Sequence, residues 1–264
     1  MAGDDTLKSL GKLMRVLDCF SLRDRALPLA EIARRTGLPK STAHRLAASL
    51  RGAGLLDQDA EGERYRLGLK LYALGSTVLA NMELHREARP FVDALARLSG
   101  QTVHLAVFDG HHAVVVQHAD PGPDGTLPGG FIETAPAHST GVGKALLAYQ
   151  PEAAVARVIE AGLVRFTENT LTDPAALRVA LAEIRARGFA TDTEEHRPGL
   201  ACVAAPICNH AGRVVAAISA SGPVWRFPAE QRVTMVAAVC RSAAEVSAAL
   251  GWRDASGGGA GGGS

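Results

Sequence analysis

The sequence predicts an α+β protein: an N-terminal winged helix-turn-helix followed by a larger module of helices and antiparallel strands. Three observations predict it. From Leu10 to Leu50 the apolar residues recur at helical spacing, broken once by Thr36-Gly37-Leu38-Pro39. Between Val103 and Val116 the period falls to two, with Asp109-Gly110 as a hairpin signal in the middle. Two further apolar strands follow in the stretch around Cys202 and Ser219, and one long helix closes the chain.

Composition allows such a fold and narrows its setting. With 47% hydrophobic and 21% charged residues, the 264-residue chain can bury a substantial core. No apolar run approaches the roughly 20 residues that span a bilayer, and the start MAGDDTLKSLGKL is acidic where a secretory leader is basic. A cytoplasmic protein with no membrane partner is expected. Cys19, Cys202, Cys208 and Cys240 show no C-x-x-C spacing, so neither disulfides nor a zinc site is expected of them. Charge is uneven: from Thr6 to Lys70 there are 13 Lys and Arg against 7 Asp and Glu, on a chain of net charge +1. A polyanion partner for the first part only is the natural inference.

The elements follow in order. Leu10, Leu13, Val16, Leu17 and Phe20 make a first amphipathic helix ending near Ser21. Leu29, Ile32 and Ala33 face inward on a second, with Arg34 and Arg35 outside. After the Gly-Pro turn a third helix begins at about Lys40, its inner stripe Ala43, Leu46, Ala47 and Leu50. Its outer face carries Lys40, Ser41, Thr42, His44, Arg45 and Ser49. Helix, turn and helix place the start of the third helix where it enters a DNA major groove. Small hydroxyls approach phosphates closely there, and arginine forks onto guanine or phosphate. "DQDAEGERYRLGLKL" then reads as a β-hairpin wing turning at Glu61-Gly62, with Tyr65 and Leu67 inward and Arg64 near the tip.

In the second module, Glu87 to Leu98 reads as a helix with Phe91, Leu95 and Leu98 inward. His104, His111, His112 and His118 lie on the hairpin after it. Adjacent strand residues point to opposite faces and no ligand spacing completes a set, so no metal is expected. Asp120 to Gly130 is a Pro/Gly-rich loop. "HSTGVGKALLA" resembles a phosphate loop, but His138 stands where that loop needs its first glycine and Ala145 where it needs a hydroxyl. Nucleoside triphosphates are excluded. Gly141-Val142-Gly143 leads into a helix over about Lys144 to Tyr149; the glycines either offer N–H groups to a small carboxylate or serve close packing. Helices follow over Pro151 to Ala161 and Asp173 to Arg187, the latter capped by Thr172 or Asp173. Two strands turn at Asn209 to Gly212. Ser219 and Ser221 leave one face of the second strand, lining a polar pocket or facing water. A last helix runs from Pro228 to Leu250.

These segments, taken in order, resemble the IclR family of bacterial transcription regulators over about Leu10 to Leu250. The resemblance is carried by "GLPKSTAHRLAASLRGAGLL", "YRLGLKLYALGS", "AHSTGVGKALLA", "DTEEHRPGLACVAAPI" and "VVAAISASGP". It implies a winged helix-turn-helix over 1–70, a linker helix over 71–86, a GAF-like effector-binding domain with a central antiparallel sheet over 87–252, and a flexible Gly-rich tail over 253–264. The linker stripe Leu71, Leu74, Val78 and Leu79 would serve dimer contacts. The resemblance also implies a homodimer or homotetramer on palindromic or near-palindromic double-stranded operator DNA. A small organic acid or aromatic metabolite would be its signal, and no cofactor is implied. DNA would be met by Lys40, Ser41, Thr42, His44, Arg45 and Arg64. The effector would be met by Gly141, Val142, Asp192, Cys202, Ser219 and Ser221.

The reading is therefore a ligand-controlled transcription regulator, in repressor sense, without catalytic residues. Two alternatives stand beside it. One is a thiol enzyme with Cys202 as nucleophile, which would need a base or helix N-terminus to lower its pKa. The other is a small-molecule-binding module whose helix-turn-helix serves assembly only.

Overall fold

The computed structural model describes residues 2–21, 24–59, 61–80, 82–121 and 134–253. The chain falls into two compact units, residues 1–81 and 82–264. The Pro/Gly-rich stretch between Gly122 and Glu133 and the Gly-rich tail lie outside the described residues.

The first unit holds α1 (Ala2–Leu17), β1 (Ala26–Pro28), α2 (Leu29–Thr36), α3 (Lys40–Gly52), β2 (Leu56–Gln58), β3 (Arg64–Leu67) and α4 (Leu69–Ala80). Helix α1 stops at Leu17, three residues before Phe20, whose ring packs from the following turn. Strand β1 has no counterpart in the sequence reading; its three residues pair with β3 to give the antiparallel order β1-β3-β2. Val16, Ile32, Leu46, Ala47, Leu50, Leu56 and Tyr65 form the core. Leu67, expected inward, is 46% exposed: the core beneath the wing ends at Leu56 and Tyr65.

The linker helix expected over 71–86 falls on two helices, α4 and α5 (Glu83–Ser99). The buried stripe of α5 is Leu84, Ala88, Val92, Leu95 and Ala96. Leu98 lies a quarter-turn round from the centre of that stripe and is 85% exposed, contrary to expectation. Then come β4 (Thr102–Phe108), β5 (His112–Ala119), β6 (Thr134–Pro136), α6 (Gly141–Leu147), α7 (Glu152–Glu160), α8 (Pro174–Arg187), β7 (Ala190–Thr193), β8 (Leu200–Cys208), β9 (Val214–Pro223) and α9 (Ala229–Ala249). Asp173 caps α8, its carboxylate accepting from Ala176 N–H at 2.8 Å. Asn209 to Gly212 forms the β8–β9 turn, Gly212 N–H donating to Asn209 C=O at 2.8 Å.

The six strands form one antiparallel sheet in the order β6-β5-β4-β9-β8-β7. Helices α5 and α9 bury Leu95, Val239 and Val246 against one face, which presents Val103, Leu105, Val203, Ile207 and Ile218. The other face is built from small residues: Ala106, Ala204 and Ala217 lie in its core, beneath α6 and α8. Strand alternation makes the two faces so different. Large β-branched side chains fill one side, while short side chains leave room on the other. Among the described residues no helix is long and apolar enough to cross a membrane.

Candidate functional site

Two surfaces collect the residues singled out from the sequence, one in each unit. In the first unit Gly37 adopts φ 66°, a left-handed conformation that glycine takes without penalty. Leu38 N–H then reaches back to Ala33 C=O at 3.2 Å, closing α2 and letting α3 start afresh. Ala43, Leu46, Ala47 and Leu50 turn inward on α3. This leaves Lys40, Ser41, His44 and Arg45 exposed and Thr42 half-buried. Arg64, also exposed, opens β3 at the end of the wing, where its N–H meets the Asp59 carboxylate at 3.1 Å.

Arg34 and Arg35 serve a different purpose. Arg34 bonds Glu31 at 2.8 Å, while Arg35 bonds both Glu31 at 2.7 Å and Asp24 at 2.9 Å. These hydrogen bonds hold the Glu31 carboxyl down at about 2. Among the described residues Lys40, Arg45 and Arg64 make no such salt bridge, so their charge remains available to an anionic partner.

In the second unit, Gly141, Val142, Asp192, Cys202, Ser219 and Ser221 all line one cavity. The pairing explains why. Cys202 lies opposite Asp192 on β7 and Ser221 on β9, and Ser219 lies opposite Ala204 on β8 and His104 on β4. The serines and the thiol are thus neighbours on the small-residue face. The cavity is narrow, with a volume of about 30 Å³. Val115, Ala135, Val142 and Leu200 give it apolar walls, and His104, Thr140 and His196 complete it. None of those last three is marked by the sequence as a pocket residue.

Helix α6 starts at Gly141, not Lys144, so the glycines are its first turn rather than a loop before it. Thr140 caps it, its hydroxyl accepting from Gly143 N–H at 3.2 Å. Both glycines are tightly packed. A Cβ on Gly141 would come within 2.6 Å of the Cys202 sulfur, and one on Gly143 would run into the Pro136 carbonyl oxygen. Of the two roles left open for this segment, the contacts show close packing, which brings the backbone to the cavity wall.

Asp192 is buried, and burial pushes its carboxyl up to about 7, against help from the Glu195 backbone N–H at 2.8 Å. Nearby, Lys144 pairs with the Glu195 carboxylate on the turn that follows β7. Thr167 and Thr170 each donate a hydroxyl at 2.6 Å to that turn, to Glu194 C=O and Glu195 C=O respectively. Glu194 itself sits at φ 58°, which a non-glycine residue holds only when its surroundings insist. The turn carries His196 onto the cavity, with the Phe166 ring edge-on at 4.7 Å.

These environments decide among the chemistries. Burial drives the Cys202 thiol up to about 12, with the Asp192 carboxyl adding to it and the serine hydroxyls offsetting little. A thiol so protonated is no nucleophile. Lys144, the lysine of the phosphate-loop look-alike, is spent on Glu195. Among the described residues no group of three His, Cys, Asp or Glu side chains can hold a metal. His111 and His112 donate their backbone N–H groups to the Asp109 carboxylate at the hairpin turn.

Comparison with known proteins bears on both surfaces. The family model described as IclR helix-turn-helix domain matches residues 9–60, and that described as bacterial transcriptional regulator IclR C-terminal matches residues 76–248. The chain is 37% identical over 247 residues to the glycerol operon regulatory protein of Streptomyces coelicolor, covering 93% of this chain and 97% of that one. It is 32% identical over 248 residues to the transcriptional repressor IclR of Escherichia coli, covering 93% and 90%. Among solved structures, an IclR transcriptional regulator from Alicyclobacillus acidocaldarius superposes with a TM-score of 0.79 at 28% identity, covering 92% and 99%. An IclR homologue from Microbacterium hydrocarbonoxydans complexed with 4-hydroxybenzoate gives 0.76 at 27%, covering 92% and 98%.

Proposed function

The chain belongs to the IclR family of bacterial transcriptional regulators, and we propose that the cavity on its small-residue sheet face receives the organic acid or aromatic metabolite that controls it. It is a DNA-binding regulator under small-molecule control, not an enzyme. Its sense is repression, in the cytoplasm, on the nucleoid when bound. Lys40, Ser41, Thr42, His44 and Arg45 meet a palindromic or near-palindromic operator in its major groove, and Arg64 touches the adjacent backbone. The exposed Leu69, Tyr72, Leu74 and Val78 of α4 supply contacts for a homodimer, or for the dimers of a tetramer. Two copies then present two recognition helices to the two half-sites.

One observation carries the ligand reading. Six residues from four separate stretches of sequence meet at one narrow cavity whose floor is polar and whose walls are apolar. Such a mixture orients a small molecule by a few polar contacts and holds it by burial. The relative crystallised with 4-hydroxybenzoate supports an aromatic acid as one member of the class. The ligand shifts operator affinity only by its preference between DNA-competent and DNA-incompetent dimers.

The test is a titration of operator complexes with small carboxylates, using wild type, Gly141→Val and the Ser219→Ala/Ser221→Ala double variant. Release of wild type, with the variants needing about tenfold more ligand and keeping ligand-free DNA affinity, is the expected result. Variants that respond as wild type does would place the ligand elsewhere.

A further inference from the structure

Three residues lining this cavity carry a buried polar atom without a hydrogen-bond partner, His104, Ser219 and His196, and the first two stand on adjacent strands. His104 on β4 lies opposite Ser219 on β9, both facing the small-residue side of the sheet. His104 is 5% exposed and Ser219 1%. Neither His104 Nε2 nor Ser219 Oγ finds a nitrogen or oxygen partner among the described residues, Ser219 having the Cys202 thiol beside it, and both residues line the cavity. Leaving a buried polar atom unsatisfied costs free energy, so native proteins seldom do it without a use for the atom.

The chemistry of the pair limits what it can hold. Burial, with His118 nearby outweighing Asp120, drives the imidazole down to about 4 and leaves it uncharged at neutral pH. A neutral imidazole and a hydroxyl suit an uncharged oxygen, which each can meet as donor or acceptor.

We propose that His104 and Ser219 together hold a hydroxyl or carbonyl oxygen of the effector, and that His104 selects ligands that carry one. The rest of the molecule lies against Val115, Val142 and Leu200. This rests on the cavity being the effector site. Selection of this kind is strong, because a ligand lacking the oxygen leaves two buried groups unpaired, whereas an apolar wall discriminates weakly.

The experiment is calorimetry on the full chain with matched pairs: 4-hydroxybenzoate against benzoate, and lactate against propionate. Wild type should bind the oxygenated member of a pair about tenfold or more tightly. His104→Leu should erase that preference while still binding the other member, and His104→Gln should restore part of it. A preference equally large in His104→Leu, or absent from wild type that binds both members, overturns the proposal. Binding of neither pair overturns the organic-acid reading of the cavity and this inference with it. One measurement needs no variant: the His104 ring nitrogen resonance should move when 4-hydroxybenzoate or lactate saturates the protein. A fixed resonance at saturation also overturns it.

Discussion

The ammonium of Lys144 meets both carboxylate oxygens of Glu195 in an ion pair whose side chains are 5% and 14% exposed. It ties α6 to the turn that carries His196, so two walls of the cavity are fastened to each other. Burial nonetheless leaves the Glu195 carboxyl above its ordinary pKa, the attraction of Lys144 not fully offsetting it. Such a pair positions more than it stabilises.

Lys144→Met should therefore cost about 3–5 kcal/mol in urea unfolding, because it strands a buried carboxylate. Lys144→Met with Glu195→Leu should recover most of that loss. A single variant within about 1 kcal/mol of wild type would mean that Glu195 swings out to solvent.

Asp192 makes a prediction about pH. Its folded value of about 7 exceeds the ordinary 3.8, so the folded state holds the proton more tightly than the unfolded chain does. The stability from this group is full below the ordinary value and is lost as pH rises through about 7. The facing groups are Lys144, Glu195, His196 and Cys202. His104 and His196, each held down at about 4, act in the opposite sense, losing stability as pH falls from 6.5. Comparing Asp192→Asn with wild type isolates the carboxyl. The variant's advantage should grow between pH 4 and pH 8, toward a limit on the order of 4 kcal/mol. A constant difference across that range would refute it.

Packing at Gly141 makes a third. Gly141→Ala drives its methyl onto the Cys202 sulfur, and removing that sulfur with Cys202→Ala should restore much of the lost stability. Gly143→Ala meets the backbone at Pro136 instead, and Cys202→Ala should not help it. Thermal melts of the four proteins decide the matter: equal rescue of both glycines would show that the clash is not local.

On the DNA side, Arg45→Ala should weaken operator binding by about 1–3 kcal/mol if it reads a base. If it touches only phosphate, it should lower the salt slope by about 1. Arg35→Ala should leave operator affinity nearly unchanged and lower stability slightly, since its guanidinium serves Asp24 and Glu31. The reverse pattern in a fluorescence-anisotropy salt series would exchange their roles.

How much of this was legible follows from where each signal resides. The recognition helix could be read directly, because its stripe repeats within thirteen residues and Gly37 and Pro39 mark its start. Leu98 and Leu67 were misplaced because periodicity gives a phase but not the point where the opposing core ends. Of the six pocket residues, Ser219 and Ser221 showed in strand alternation and Gly141 and Val142 in the glycine segment, whereas Asp192 and Cys202 came from family motifs alone. His104 was visible only as one histidine among several on a hairpin, since no local rule says that β9 will lie beside β4. Lys144 was legible as a lysine after a glycine. Its partner stands 51 residues away, beyond any spacing rule.

The pairing of β4 with β9 sets a timetable as well as a geometry. These neighbours come from opposite ends of the second unit, whereas β4–β5 and β8–β9 are hairpins that close locally. Closing the long loop between them costs entropy before any contact repays it, so this seam should be among the last to form. His104 and Ser219 face each other across that seam. On the ribosome, the polar floor of the cavity cannot exist until β9 has emerged, long after the DNA-binding unit is complete. A nascent chain can thus fold its operator-reading half before it is able to sense anything.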